Sequence, residues 1–501
     1  MLMEAKSKAK WEEMVPDLRI PHQAIIAGQA VDAASGETFD CISPIDGKKL
    51  ASVARCGAED VDRAVSAARK AFDSGVWADR PPAARKKVLQ RFAGLIADHA
   101  EELALLETLD MGKPVGESLA IDVGATVRCI NWNAEAIDKI YGEIAPTGLD
   151  ELGLITREPL GVIGAIVPWN FPMLMAAWKL GPALATGNSV VLKPSEKSPL
   201  TAIRLAELAL EAGLPEGVFN VITGFGKEAG EPIAAHMDVD GLVFTGSTAV
   251  GKHLLSTAAL SNMKRTFVEC GGKSPNVVFA DTADLETAAI AAAGGIFFNQ
   301  GEVCTAPSRL LVENGIKSEF VDEVVKAAAT MQPKHPFEPD AAMGAMVDDI
   351  QTDRVMEYVK SGNEDGAVLR CGGRRAEVEE NGYYIEPTVF DEVSGDMKIA
   401  REEIFGPVLS CIGFAEEDEA VRIANDTPYG LAACIWTNDL SRAHRVARKI
   451  RAGSVWVNSC DAGDMTAPFG GFKQSGNGRD KSLHALEKYT ELKATWINLA
   501  G

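Results

Sequence analysis

No Cys-x-x-Cys pair occurs in this chain, which removes the spacing on which zinc sites and thioredoxin-type centres are built. No metal is expected. The nine cysteines stand singly and in odd number, and they read as reduced thiols of a reducing cytoplasm. Positive charge is scarce as well. Fifty Lys and Arg face 71 Asp and Glu, a net charge of −21. Phosphate-rich surfaces would be repelled, so neither nucleic acid nor an anionic membrane is expected as a partner. There is no repeat and no low-complexity tract. The first 13 residues are charged and lack an apolar segment, so no signal peptide is expected. One run alone, between Glu158 and Lys179, is free of charge over about the ~20 residues a bilayer crossing needs. Pro168, Asn170 and Pro172 interrupt it, and it reads as a buried strand, a loop and a helix.

What is present is a soluble composition, 46% hydrophobic and 24% charged, over 501 residues. That length exceeds one core and implies two or three domains. Residues 160–270 alternate short β-branched runs (162–167, 189–192, 218–222, 241–244, 266–269) with helical stretches near 173–185, 199–212, 227–236 and 248–259. Strand–helix alternation implies a parallel sheet. Ser198 and Pro199 read as the start of the helix at 199–212. Residues 20–155 look mainly helical after a β-like start. Residues 273–470 repeat the alternation, with strands near 276–279, 309–312, 408–413, 431–436 and 453–457. Segments 152–158 and 491–499 read as a hairpin-like arm.

In a parallel sheet the loops at the C-terminal strand ends share one rim, where ligands bind. Here those loops carry Asn170, Lys193 with Glu196, Gly224 with Gly226, Gly246 with Ser247, and Glu269. Gly246-Ser247-Thr248-Ala249-Val250-Gly251 follows a strand and opens a helix, whose free N–H groups suit a pyrophosphate. Gly224, Gly226 and Gly230 nearly match a dinucleotide glycine motif, with one residue too many. In Lys193-Pro194-Ser195-Glu196, a lysine and a carboxylate could hold a ribose, and the carboxylate would repel a 2′-phosphate. An ordinary solvated turn is equally compatible with that tetrapeptide. In Pro168-Trp169-Asn170-Phe171-Pro172 the prolines fix the backbone around an amide able to serve an oxyanion hole. Cys304 and Glu269, each in a glycine-punctuated segment, are a thiol nucleophile and a carboxylate base if they meet. Arg309 and Lys273 are cations close enough in sequence to lower a thiol pKa.

These segments, with Glu402-Glu403-Ile404-Phe405-Gly406-Pro407 and Pro468-Phe469-Gly470-Gly471-Phe472-Lys473, resemble the aldehyde dehydrogenase superfamily from about residue 25 onward. The resemblance implies an α/β fold: a parallel-sheet NAD-binding domain (1–140 and 161–272), an α/β catalytic domain (273–472), and a small β oligomerisation arm (141–160 and 485–501). It implies NAD as cofactor, with NADP possible but weaker, an aldehyde substrate, and a cytoplasmic homodimer or homotetramer. By position, Cys304 matches the nucleophile and Glu269 the base for the deacylating water. Asn170 matches the oxyanion hole, together with the Cys304 N–H. Lys179 matches a lysine of a proton relay. Lys193, Ser195 and Glu196 match the adenosine side. Ile166, Pro168, Trp169, Gly226, Gly230, Phe244, Gly246, Ser247 and Gly271 match the rest of the cofactor cleft, and Glu403 and Phe405 its nicotinamide side. Phe171, Met175, Trp178, Val303, Thr305, Asp461 and Phe469 match the substrate tunnel.

The implied reaction runs through a thiohemiacetal and a thioester on Cys304, with the nicotinamide moving aside before hydrolysis. Within the superfamily the chain resembles bacterial ω-aminoaldehyde dehydrogenases of the 4-guanidinobutyraldehyde and γ-glutamyl-γ-aminobutyraldehyde type. A cationic tail would need an acidic partner at the tunnel mouth, for which Asp461, Asp464 and Asp122 are the candidates. The alternatives are a broad-specificity aliphatic or semialdehyde dehydrogenase, a CoA-acylating enzyme (a branch that typically lacks the glutamate), and a silent nucleotide-binding homologue. Two departures stand out. Cys270 follows the base, with its side chain expected to point away from Glu269, and Pro307 stands behind the nucleophile.

Overall fold

A computed structural model describes residues 6–500. Four sheets occur among the described residues, the smallest being the antiparallel pair Thr38–Ile42 and Lys49–Ala54. In the first, the strands Arg265–Cys270, Gly241–Gly246, Val162–Ile166, Ser189–Lys193 and Phe219–Val221 lie side by side and parallel. The short antiparallel pair Ala24–Ile26 and Gln29–Val31 extends the far edge. The Val162–Ile166 and Ser189–Lys193 strands are buried along their whole length, as apolar runs covered on both faces must be. After Phe219–Val221 the chain returns to the other side of Val162–Ile166. The strand order thus reverses there, opening a crevice at the C-terminal ends.

The second sheet runs Val368–Cys371, Thr388–Asp391, Val408–Phe414, Arg309–Glu313, Pro275–Val278, Ala432–Trp436 and Ser454–Val457, all parallel except the first. The third pairs Thr490–Asn498 with Glu151–Pro159 in a continuous antiparallel register, with Glu143–Ala145 beyond. The charge-free run resolves into the strand Val162–Ile166 and the helix Pro172–Ala185. No helix among the described residues is long and apolar enough to cross a membrane.

Two local expectations change. The helix expected at 199–212 spans Leu200–Glu211, and Ser198 does not cap it. The Leu200 N–H instead donates to the buried Asp110 carboxylate at 2.9 Å, while the Ser198 hydroxyl bonds the Trp169 carbonyl at 3.3 Å. A distant carboxylate has displaced the local cap, and the serine braces the loop that carries Asn170. The cysteines are not all free either. Cys434, in the strand Ala432–Trp436, is joined to Cys460, 26 residues on, because the following loop returns their Cα atoms to 5.7 Å. The other seven, Cys304 among them, are unpaired.

Candidate active site

One cavity of about 750 Å³ is lined by segments of both large sheets. Cys304, Glu269 and Asn170, distant in sequence, all line it. Glu269 arrives on the edge strand Arg265–Cys270, next to Thr245 of Gly241–Gly246 in parallel register. Strand alternation sends Glu269 into the cavity and Cys270 into the core on the opposite face. There the Cys270 sulfur lies against Gly251, where a Cβ would come within 2.8 Å. Both Glu269 carboxylate oxygens and the Thr245 hydroxyl lack a hydrogen-bond partner among the described residues. Burial pushes the Glu269 carboxyl up to about 7, although Lys179 opposes the shift. A carboxyl poised there can give or take a proton near neutral pH.

Cys304 follows a turn in which three consecutive residues, Asn299, Gln300 and Gly301, hold left-handed backbone, at φ 46°, 57° and 73°. Side chains rarely tolerate this. The turn persists because its neighbours fix it. Gln300 Oε1 accepts the Gly344 N–H at 2.8 Å, and a Cβ on Gly301 would sit 2.3 Å from the Gly406 carbonyl. The Asn299 amide donates to the Asn170 carbonyl at 3.1 Å, and the Asn170 amide to the Glu302 carbonyl at 2.7 Å. One Asn170 N–H is thereby fixed and the other remains to face an oxyanion. Pro307 packs against Gly295 of the helix Leu285–Phe297. The Cys304 thiol is only partly exposed, and its pKa is raised by burial, then by the charges of Glu269 and Asp461. Neither Arg309 nor Lys273 counters this. Arg309 donates to the carbonyls of Lys273, Ile423 and Ala424, and Lys273 is buried near Glu403. The resting thiol is therefore protonated and needs a base.

Lys179 stands outside the cavity lining, behind Glu269. Its ammonium bonds Asp480 at 2.5 Å, and Lys488 takes the other oxygen of the same carboxylate. Burial alone would raise the Asp480 pKa, but the two lysines hold it down. The sequence reading missed this Lys179–Asp480–Lys488 triad, which joins segments 301 residues apart.

The residues expected to hold the cofactor divide into three groups. Pro168, Trp169, Gly246, Ser247, Gly271, Glu403 and Phe405 line the cavity. The Ser247 hydroxyl caps the helix Thr248–Leu260 by accepting from Val250, and Gly246 and Ser247 put that N-terminus at the cavity. Lys193 bonds Glu196 at 3.2 Å on the same strand-end edge but outside the cavity lining, with Ser195 in their turn. Ile166, Gly226 and Gly230 also lie beyond the lining, Gly230 backing onto Ile166 and Lys193. Phe244 is buried and also stands outside the cavity lining. Its ring fills the core under Gly246, where a Cβ would come within 2.5 Å, because its position alternates with that of Thr245. Phe405 holds φ 58° because Gln351 donates to its carbonyl at 2.7 Å, and its ring meets the Trp169 edge at 5.2 Å. Gln351 is a further residue that the sequence did not suggest.

Phe171, Met175, Trp178, Val303, Thr305 and Phe469 form the largely apolar wall beside Cys304. Asp461 joins them, accepting from Thr305 at 3.3 Å. The two other acidic candidates do not. Asp464 turns back onto Thr466, and Asp122 is buried against Lys113 at 2.7 Å. Nearness in sequence to the substrate loop did not set their direction.

Residues 30–495 match the aldehyde dehydrogenase family model, and the chain belongs to that family. It is an NAD-dependent aldehyde dehydrogenase. It is 54% identical over 491 residues to the NADP/NAD-dependent aldehyde dehydrogenase PuuC of Escherichia coli, covering 98% of each chain. Among solved structures it is similar to P. syringae AldA, an indole-3-acetaldehyde dehydrogenase in complex with NAD+ and IAA. That match has 60% identity and a TM-score of 0.98 over 99% of this chain and 100% of the other. It is also similar to the γ-glutamyl-γ-aminobutyraldehyde dehydrogenase of Burkholderia cenocepacia, at 59% identity and a TM-score of 0.97 over the same shares.

One glycine bears on the cofactor side directly. A Cβ on Gly271 would lie 2.0 Å from the Glu403 carboxylate, which accepts the Gly272 N–H at 3.1 Å. Gly271→Ala must push that carboxylate aside. Losing a hydrogen bond to a charged group costs ~1.5–3 kcal/mol, so KM for NAD should rise by about tenfold or more, with kcat less affected. Initial-rate kinetics against NAD concentration checks it.

Proposed function

We propose that the chain oxidises aldehydes derived from amines to carboxylates, with Cys304 as nucleophile. The observation that carries this reading is the convergence of the Cys304 thiol, the Glu269 carboxyl and the Asn170 amide on one cavity. Glu269 accepts the thiol proton as sulfur bonds to the aldehyde carbon. The C=O electron pair moves to oxygen, where the Asn170 N–H and the Cys304 backbone N–H stabilise it. Bound NAD supplies the hydride acceptor that converts the adduct to a thioester. Glu269 then takes a proton from water, the water oxygen bonds the acyl carbon, and the carbon–sulfur bond breaks to release the acid. Before that second step Glu269 gives the thiol proton up to water in the cavity, and the charged Lys179–Asp480–Lys488 network lies behind it without a direct hydrogen bond to its carboxylate.

The first sheet serves the cofactor and also brings Asn170 and Glu269, and the second brings Cys304. The Thr490–Asn498 arm pairs with a second copy in a homodimer or homotetramer. Lys193 and Glu196 take the adenosine ribose, and Glu196 makes NADP the weaker partner. A cytoplasmic setting would keep the Cys304 thiol reduced. Two observations support amine-derived aldehydes: the substrate named for the Burkholderia relative, and the Asp461 carboxylate in a largely apolar wall. The aromatic wall and the likeness to AldA favour a second reading, an arylacetaldehyde.

A panel tests the choice: 3-aminopropanal, 4-aminobutanal, 4-guanidinobutanal, γ-glutamyl-γ-aminobutanal, indole-3-acetaldehyde, propanal and hexanal, each with NAD and NADP. A kcat/KM advantage above ~100-fold for the nitrogen-bearing aliphatic aldehydes is expected. Equal rates on propanal and hexanal would remove the substrate class and leave the chemistry. A lead for indole-3-acetaldehyde would favour the second reading.

A further inference from the structure

Lys481 lines the same cavity, yet no step above uses it. Its backbone holds the left-handed region at φ 60°, and so does that of Asp461 at φ 54°. The two segments are tied together. Phe469 and Asp480 exchange a pair of backbone hydrogen bonds of 2.7 Å, and the Ser482 N–H donates to the Met465 carbonyl at 2.7 Å. This ribbon presents Lys481 to the loop that carries Asp461, Ala462 and Gly463. A Cβ on Gly463 would come within 3.2 Å of the Lys481 ammonium, so the bare glycine leaves it room. On its other side the ammonium lies 5.6 Å from the Trp178 ring centre, and Trp178 meets the Phe469 edge at 5.0 Å.

Among the described residues no carboxylate comes within ion-pair distance of this ammonium. Asp464 is occupied with Thr466, and Asp461 bonds only Thr305. Burial pushes the Lys481 pKa down, and the two more distant aspartates hold it up only in part. A half-buried cation over an aromatic wall, without a partner, gains most from an anion brought by the ligand. The same cation repels a bare ammonium or guanidinium tail. Asp461 in the same wall offers the opposite charge.

We propose that Lys481 selects aldehydes whose end remote from the carbonyl bears a carboxylate, with Asp461 receiving an ammonium beside it. The preferred class is thus an aldehyde ending in an amino-acid head, not one ending in a free amine. The proposal rests on the amine-derived reading above and narrows it.

The test measures kcat/KM for γ-glutamyl-γ-aminobutanal, 4-aminobutanal and hexanal in the wild type and in K481M, K481R and K481E. The expected result is a ~10–30-fold loss for the γ-glutamyl substrate in K481M and a larger loss in K481E. K481R should stay within about threefold of the wild type, 4-aminobutanal should improve by ~3–10-fold in K481E, and hexanal should hold throughout. Loss on the γ-glutamyl substrate no greater than on hexanal overturns the proposal. So does an equal loss on all three substrates in K481M and K481R, which would mark a structural lysine. The amine-derived reading fails separately, if no nitrogen-bearing aliphatic aldehyde outruns hexanal in the wild type.

Discussion

Cys304→Ala abolishes NADH formation, lowering kcat by at least ~10⁴-fold, because the other cysteine of the lining, Cys270, turns its sulfur away toward Gly251. The cofactor-side residues Gly246, Ser247 and Glu403 do not bond Cys304, so NAD binding persists, with a Kd within about twofold by calorimetry. Stability should hold as well, since alanine fills nearly the same space and removes no hydrogen bond. Residual turnover above that level, on any aldehyde of the panel, would place the nucleophile elsewhere. Loss of NAD binding would mean that the variant had disturbed the fold and not the chemistry alone.

Glu269→Gln removes the base from both halves of the reaction. Turnover should fall by ~10²–10⁴-fold, the usual contribution of a positioned base. Because Glu269 also accepts the thiol proton, the first NADH formed per site should appear more slowly too, as a rapid-mixing experiment would read. In the wild type, kcat should rise with pH around a midpoint near 7, the value to which burial brings this carboxyl. In the variant that limb should vanish.

Stability should move the other way. A carboxyl whose folded-state pKa lies near 7, against 4.5 unfolded, contributes stability that is fully present below about pH 4.5 and lost as pH rises through 7. At pH 8 its ionisation in a buried site costs on the order of 3 kcal/mol. Glutamine does not ionise, so the variant should gain on the wild type between pH 5 and pH 8 in urea titrations. Taking the difference between the two proteins cancels Lys273 and Lys488, which also titrate near this range. A variant equally destabilised at both pH values would show that Glu269 is held by contacts and is not strained by burial.

The parts of the site legible in the sequence were those written in local order. A strand rich in β-branched residues, a glycine or proline after it, then a helix: this places Asn170, Ser247 and Glu269 on one rim before any coordinates exist. What stayed hidden depends on register and on distant partners. Thr245 stands beside Glu269 only because two parallel strands align residue for residue. Phe244 belongs to the core for the same reason, one step out of phase. Asp480 becomes a partner of Lys179 across 301 residues, and Asp110 replaces Ser198 at a helix start. Of the three aspartates proposed for the tunnel mouth, only Asp461 faces it. Lys481, the cation among them, carries no signature that a single sequence displays.

The docking of residues 474–488 also has a bearing on how the chain is made. Asn477 caps the Arg265–Cys270 edge, donating to the Val268 carbonyl and accepting its N–H, and Gly476 bridges Glu269. Until those residues leave the ribosome, Lys179 is a buried cation without its counter-charge, and the strand that carries Glu269 is an open edge able to pair with other chains. A nascent polypeptide can therefore assemble the parallel sheet early yet stay inert toward aldehydes. Premature termination anywhere before about residue 480 would yield a sticky, inactive product, and not a partly active enzyme.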